Sequence, residues 1–240
     1  FQNMLAAIFH SASSRSNSKT EIDKTRRVLS PLKDLLFPIH CFGCKAFGIE
    51  ICSKCRKYWN PHFYLQSIED LTVYSAIRYS PVARSILLGA KENSLHIADE
   101  LIVDALLNCL HRLPTQVLRN AVLMPVPGSR RAIRKRGRDF IFELTKELSI
   151  RSGVPVIPGI KINRRLLDQS GLNAADRKRN INGAFEIDGV SPESIKGEIL
   201  LVDDLVTTGA TLLEAKRALN SGGISVNRAI TACVAQTSNI

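Results

Sequence analysis

The chain has no uncharged apolar run long enough to cross a bilayer. Its longer ones, such as 121–126, fall far short of the roughly 20 residues a spanning helix needs. No integral membrane segment is therefore expected. The first 20 residues lack the basic-then-apolar order of a signal peptide. Internal repeats and long low-complexity tracts are missing as well. Negative charge is in short supply: 22 acidic against 33 basic residues leave a net charge of +11 and a pI of 9.6. An excess of that sign points to an anionic partner, whether a phosphorylated small molecule, nucleic acid or an acidic membrane face. The six cysteines do not read as a disulfide framework, because four sit in two Cys-x-x-Cys pairs and two stand alone in apolar runs. That pattern suits metal binding in a reducing cytosol, so a cytoplasmic location is expected, with a peripheral place at the inner membrane face as a second option.

What is present is an ordinary globular composition, 45% hydrophobic and 23% charged. Apolar positions in 21–37 suggest a short helical approach broken by Pro31 and ended at Pro38. Residues 71–79 alternate and read as a strand, and 96–113 carry apolar residues at helical spacing, with Cys109 as core filler. Beyond Pro114 the pattern predicts strand 121–126, helix 140–151, strands 154–157 and 198–203, helix 211–220 and strand 224–234. Strands alternating with helices imply an α/β fold, a mostly parallel sheet flanked by helices. The expected organisation is a partly disordered leader over 1–34, a small cysteine-bearing subdomain over 35–64 and the α/β domain over 65–240.

The most informative segment runs from Ile199 through Asp203, Asp204, Val206, Thr207, Thr208, Gly209 and Ala210 to Thr211. Four apolar residues make a buried strand, and ligands of open α/β sheets bind at the carboxyl ends of such strands. Small residues ahead of an amphipathic helix let backbone N–H groups approach an anion, and threonine hydroxyls and the helix N-terminus add to the attraction. A monophosphate fits that cup. The two carboxylates would repel a phosphate and need another task, for which hydrogen bonds from sugar hydroxyls are suited. Phosphate and diol together describe a ribose 5-phosphate. The plainer alternative is a strand-turn-helix in which Asp204 and Thr207 only cap the helix. No lysine follows the glycine, so this is not a P-loop.

Cys41, Cys44, Cys52 and Cys55 form two pairs separated by seven residues, with Gly43 and Gly48 available for tight turns. Four thiolates suit a closed, structural zinc site with no open position for water. Two redox pairs or an iron-sulfur cluster are the alternatives, and His40 and His62 stand close enough in sequence to substitute.

Basic residues gather twice. Arg130, Arg131, Arg134, Lys135, Arg136 and Arg138 follow the 121–126 strand, and Arg164, Arg165, Arg177, Lys178 and Arg179 lie in a polar stretch with Gly171 and Gly183 as hinge candidates. The first reads as a ligand-binding loop, a solvated charge run or a phosphate-tracking patch. The second reads as a lid or as a surface loop.

Several of these motifs together resemble a known family. Asp203-Asp204 followed by Thr207-Thr208-Gly209-Ala210-Thr211 is similar to the phosphoribosyl pyrophosphate signature of type I phosphoribosyltransferases. The order of paired cysteines, Val126-Pro127 with an Arg-Gly loop, Arg164-Arg165-x-x-x-Gln169-x-x-Leu172, Arg177-x-x-Asn180-x-x-Gly183-Ala184-Phe185 and that signature resembles the ComF family of competence-associated, phosphoribosyltransferase-like proteins. Arg136-Gly137-Arg138-Asp139-Phe140 departs from the family's Arg-Gly-Phe-Asn-Gln, and Lys91 alone remains of its Lys-Phe-x-Gly-Asp. The resemblance implies a type I phosphoribosyltransferase fold with an N-terminal zinc subdomain. It implies ribose contacts from Asp203 and Asp204 and 5-phosphate contacts from Val206, Thr207, Thr208, Gly209, Ala210 and Thr211. Arg130, Arg131, Arg134, Lys135, Arg136, Arg177, Arg179 and Lys91 become candidates for pyrophosphate or DNA. Phosphoribosyl pyrophosphate, with Mg2+, or a ribose 5-phosphate moiety is the expected ligand. The implied role is DNA uptake, with single-stranded DNA and a competence helicase of ComFA type as partners. A nucleotide-salvage transferase and a single-strand DNA-binding module without turnover are the alternatives. No aromatic cluster or acid/base residue identifies an acceptor base, and no catalytic residue is assigned.

Overall fold

The computed structural model describes residues 39–93, 95–164 and 174–235. The chain divides into two compact units, 1–52 and 53–240. In the first, the described residues form a tight knuckle. His40 bridges Phe47, Gly48 N–H donates to the Ile39 carbonyl at 2.8 Å, and Phe42 N–H donates to the Glu50 carbonyl at 2.8 Å. The helical approach expected over 21–37 lies outside the described residues.

The second unit is built on a five-stranded sheet. Strands β1 (Tyr64–Ile68), β2 (Leu71–Arg78), β3 (Ala121–Pro125), β6 (Glu198–Val206) and β7 (Arg228–Val234) lie in the order β1-β2-β7-β6-β3. All neighbours are parallel except the β1-β2 hairpin at the edge. The interior strand β6 is apolar without alternation over 199–202 because helices cover both of its faces. Ile199, Leu200, Leu201 and Val202 are each no more than 1% exposed, and a fully buried Leu or Ile contributes about 1.5–3 kcal/mol.

After a single helical turn at Ser53–Arg56, the helices among the described residues are α1 (Pro81–Asn93), α2 (His96–Leu110), α3 (Thr115–Arg119), α4 (Arg130–Arg136), α5 (Phe140–Ser152), α6 (Ala174–Ile181) and α7 (Ala210–Ser221). α2 packs on β2 and β7 and α5 on β3 and β6, while α7 packs on β6 and on a separate antiparallel pair, β4 (Ile160–Ile162) with β5 (Phe185–Ile187). The expected mostly parallel sheet flanked by helices is the observed architecture.

Several local expectations differ from the structure for identifiable reasons. Residues 154–157 make one parallel bridge, Leu123 with Val156, in place of a strand. Pro155 and Pro158 cannot donate to a ladder, so pairing stops there. The last strand begins at Arg228 and not at Ile224. The basic stretch after β3 is a helix and not a loop. Ser129 Oγ accepts from Ala132 N–H at 3.1 Å, and Gly137 ends the helix at φ 73°. Arginine, lysine and alanine are good helix formers, which a reading based on charge alone overlooks.

Candidate ribosyl-phosphate site

At its carboxyl end β6 leaves the core. Asp203 is half-buried, Asp204 is 5% exposed and Val206 is buried. The chain then turns through Gly209 at φ 75° and enters α7, where Leu213 N–H bonds the Gly209 carbonyl at 2.9 Å. The first N–H groups of a helix have no intrahelical acceptor, so this turn presents donors together with the positive end of the helix dipole. Asp203, Leu205 and residues 206–212 line a cleft at this point. The structure therefore brings together Asp203 and all six candidate phosphate residues, Val206, Thr207, Thr208, Gly209, Ala210 and Thr211.

Asp204 is placed differently from its neighbour. Its Oδ2 lies 2.5 Å from Lys91 Nζ, and it is not among the residues lining the cleft. Its backbone N–H donates to Asp203 Oδ1 at 2.8 Å. Burial and the adjacent Asp204 charge push the Asp203 carboxyl well above the usual carboxylate range, against the opposing pull of the Lys91 ammonium. Lys91, expected as a contact for an external anion, thus has an internal partner.

The remaining basic candidates divide. Lys135 and Arg136 are tied to Glu92 at 2.6 and 3.2 Å, holding the Glu92 carboxyl below its ordinary range. Arg138 donates to both Asp99 oxygens at 2.7 and 2.8 Å, to the Ala90 carbonyl at 2.7 Å and to Glu143 at 3.1 Å. Arg130, Arg131 and Arg134 are exposed and make no ion pair with another described residue. Arg179 pairs with Asp176. Arg164 donates to the Asn180 and Asn182 carbonyls, each at 2.8 Å, joining the two ends of the second basic stretch. The Arg177 and Lys178 side chains, and 165–173 with the hinge candidate Gly171, lie outside the described residues.

Two supports of the cleft carry no local sequence signal. Ile68, at the end of the edge strand, packs against Gly209, and Lys216 of α7 pairs with Asp70 in the β1-β2 turn at 2.8 Å. Both contacts join segments about 140 residues apart, beyond the reach of periodicity or spacing.

The four Sγ atoms of Cys41, Cys44, Cys52 and Cys55 lie within 4.8 Å of one another, close to the roughly 3.8 Å edge of a tetrahedron with 2.3 Å metal-sulfur bonds. Cys52 N–H donates to Cys41 Sγ at 3.4 Å. Burial works against ionisation of Cys41, but N–H groups of Cys44, Cys52 and Gly43 outweigh it and bring the thiol down to about 6. The cluster can hold a metal ion. The His40 ring packs at a tilt against Phe47 with centroids 4.4 Å apart, and His62 Nδ1 lies 2.9 Å from the Asn60 carbonyl; neither is part of the cluster. Cys109 is buried core, as expected, its thiol pushed up by burial to about 12.

No family model matches the chain. Over 103 residues it is 32% identical to Competence protein F of Haemophilus influenzae, covering 42% of this chain and 45% of that protein. The match thus spans under half the length of that relative, and it agrees with the ComF resemblance of the motifs. Among solved structures the chain is similar to orotate phosphoribosyltransferase from Aeropyrum pernix, at 17% identity, covering 66% of this chain and 67% of that one, with a TM-score of 0.36. It is also similar to adenine phosphoribosyltransferase from Trypanosoma brucei in complex with AMP, pyrophosphate and ribose-5-phosphate. There the identity is 12%, the coverage 72% and 87%, and the TM-score 0.40.

Proposed function

We propose that this ComF-type chain binds phosphoribosyl pyrophosphate, or a ribose 5-phosphate moiety, in the cleft at the carboxyl end of β6 and acts in handling DNA during uptake. The observation that carries this reading is the convergence of one carboxylate, Asp203, with the turn over 206–212 and the N-terminus of α7 around a single cleft. N–H groups and threonine hydroxyls suit the phosphate, and Asp203 suits the sugar hydroxyls. Mg2+ would enter with the diphosphate, whose charge it neutralises. The four cysteines would hold a structural zinc ion, stapling a segment too short to build its own core.

Ligand-induced stabilisation tests this directly. Phosphoribosyl pyrophosphate is expected to raise the melting temperature of the native chain and to have no effect on the Asp203→Asn/Asp204→Asn variant. Equal stabilisation of both would overturn the site assignment. Pyrophosphate release with a panel of nucleobases tests turnover, since release with any one base would favour nucleotide salvage over a role in DNA handling.

The exposed Arg130, Arg131 and Arg134 on one short helix favour a second reading, single-stranded DNA binding by the same protein. A competence helicase of ComFA type would be the corresponding partner, and the site of action the inner face of the membrane.

A further inference from the structure

Among the described residues, the cleft that suits a phosphate has no cationic side chain in its lining, and Asp203 is the one charged residue that lines it. Directly behind it stands a second carboxylate, Asp204, 5% exposed. Negative charge on this adjacent pair of carboxyl groups would oppose the anion the cup is shaped for. Among the described residues, one positive charge is in contact with this pair, Lys91 Nζ, 2.5 Å from Asp204 Oδ2.

The placement of Lys91 is itself built. It comes from the last turn of α1, more than 100 residues before the pair. Its ammonium lies 5.6 Å from the centroid of the Phe140 ring, and Arg138 lies 5.2 Å from the same ring. Arg138 is gripped by Asp99 and donates to the carbonyl of Ala90, the residue before Lys91. The backbone leading to the ammonium is thereby fixed. The lysine reaches Asp204, whose side chain is 7% exposed, while its own side chain is 25% exposed.

We propose that Lys91 is the built-in counterion of the ribosyl-phosphate site: it holds Asp204 in an ion pair and out of the cleft, leaves Asp203 alone to meet the sugar hydroxyls, and offsets the charge that would repel the phosphate. Lys91 acts through Asp204 and is a positioning residue, not a ligand to the phosphate. The inference rests on the ribosyl-phosphate reading. Removing one partner of a buried pair leaves an uncompensated charge, whereas removing both restores the charge balance. The two acidic residues, read as equivalent ribose contacts in the sequence, hold different tasks.

Calorimetric titration of the chain with ribose 5-phosphate, and separately with phosphoribosyl pyrophosphate and Mg2+, tests this. Lys91→Met and Asp203→Asn are each expected to weaken binding at least about tenfold, that is about 1.4 kcal/mol. Lys91→Arg should stay within about threefold of the native chain, and Lys91→Met/Asp204→Asn should match Asp204→Asn alone within the same margin. That double variant leaves no carboxylate at position 204 without its lysine partner, so the comparison holds even where Lys91→Met alone does not fold. No saturable binding by the native chain would overturn the ribosyl-phosphate reading and this inference with it. Native binding with Lys91→Met unchanged, or with the double variant weaker than Asp204→Asn alone, would overturn the counterion role only.

Discussion

Ile68 occupies the space a side chain on Gly209 would need. A Cβ built at Gly209 would come within 2.6 Å of Ile68 Cδ1 and 2.8 Å of its Cγ2, and the backbone there has φ 75°. Glycine is thus required twice, for the left-handed turn that opens α7 and for contact with the edge strand. Gly209→Ala is expected to cost about 1–3 kcal/mol, from backbone strain plus overpacking. Ile68→Ala in that background should recover only part of the loss, because the clash is relieved and the strain is not. Urea unfolding of the two single variants and the double checks this, and complete recovery would remove backbone strain from the account.

Asp203 gives a second prediction, on stability. Its carboxyl is pushed up by burial and by the Asp204 charge. The folded protein therefore holds a proton more tightly there than the unfolded chain does, and stability falls as pH rises from the unfolded carboxylate value towards the raised folded one. Asp203→Asn should accordingly raise the melting temperature at pH 7 to 8, with the gain fading as pH drops towards about 4, where the unfolded carboxyl also becomes protonated. Melting curves across that range decide it, and a variant less stable at pH 8 than at pH 5, relative to the native chain, would contradict it. A site that is costly to stability without its ligand is consistent with binding.

The opposite sign is expected at Glu214. This residue of α7 accepts from the Phe185 N–H at 3.0 Å and from two nitrogens of Arg217, each at 2.8 Å, while Arg217 donates to the Phe185 carbonyl at 2.9 Å. Burial opposes its ionisation, but Arg217 and the Phe185 N–H prevail and hold the carboxyl below its ordinary range. The stabilisation is present above the unfolded carboxyl value, about 4.3, and is lost as pH falls through the lower folded value. Glu214→Gln keeps an acceptor for Phe185 and removes the ion pair, so a loss of about 1 kcal/mol at pH 7 is expected, shrinking below pH 4. A pH-independent difference would assign the effect to packing.

How far the sequence spoke for the molecule depended on the range of the interaction concerned. The apolar run from Ile199 to Val202 announces a strand covered on both faces, and Thr207 to Thr211 announces the turn after it, because both rest on neighbours in the chain. The edge hairpin behind Gly209 was not legible, since β1 is half-exposed and its tip matters only through Ile68 and Asp70. Asp203 and Asp204 looked alike until the fold brought Lys91 to one of them. The helix over Arg130–Arg136 was obscured by reading charge before propensity, although Ser129 and Gly137 stand at its ends as cap and stop.

The cysteine cluster predicts one zinc ion per chain, measurable by metal analysis of protein purified without added metal. Cys41→Ser or Cys52→Ser should release it, and chelation should destabilise the native chain but leave the serine variants unchanged. Recovery of the native chain without metal would rule out the four-cysteine site.

The division among the basic residues makes the DNA reading testable in a way that net charge does not. Lys135 and Arg136 already neutralise Glu92, so changing them should lower stability more than affinity. Arg130, Arg131 and Arg134 are exposed and can meet phosphates without breaking an ion pair among the described residues. Each phosphate contact on a single strand contributes about 0.7 to the dependence of log K on log salt, so replacing all three arginines by glutamine should reduce that slope by about two. Lys135→Gln/Arg136→Gln should leave the slope within about 0.5 of native, because those cations release few counterions on binding. Fluorescence anisotropy with a labelled oligonucleotide at several salt concentrations gives both slopes. A larger drop from the Lys135 and Arg136 pair than from the three arginines would show that the ion pairs with Glu92 open to admit DNA, and would reverse the assignment of the binding face.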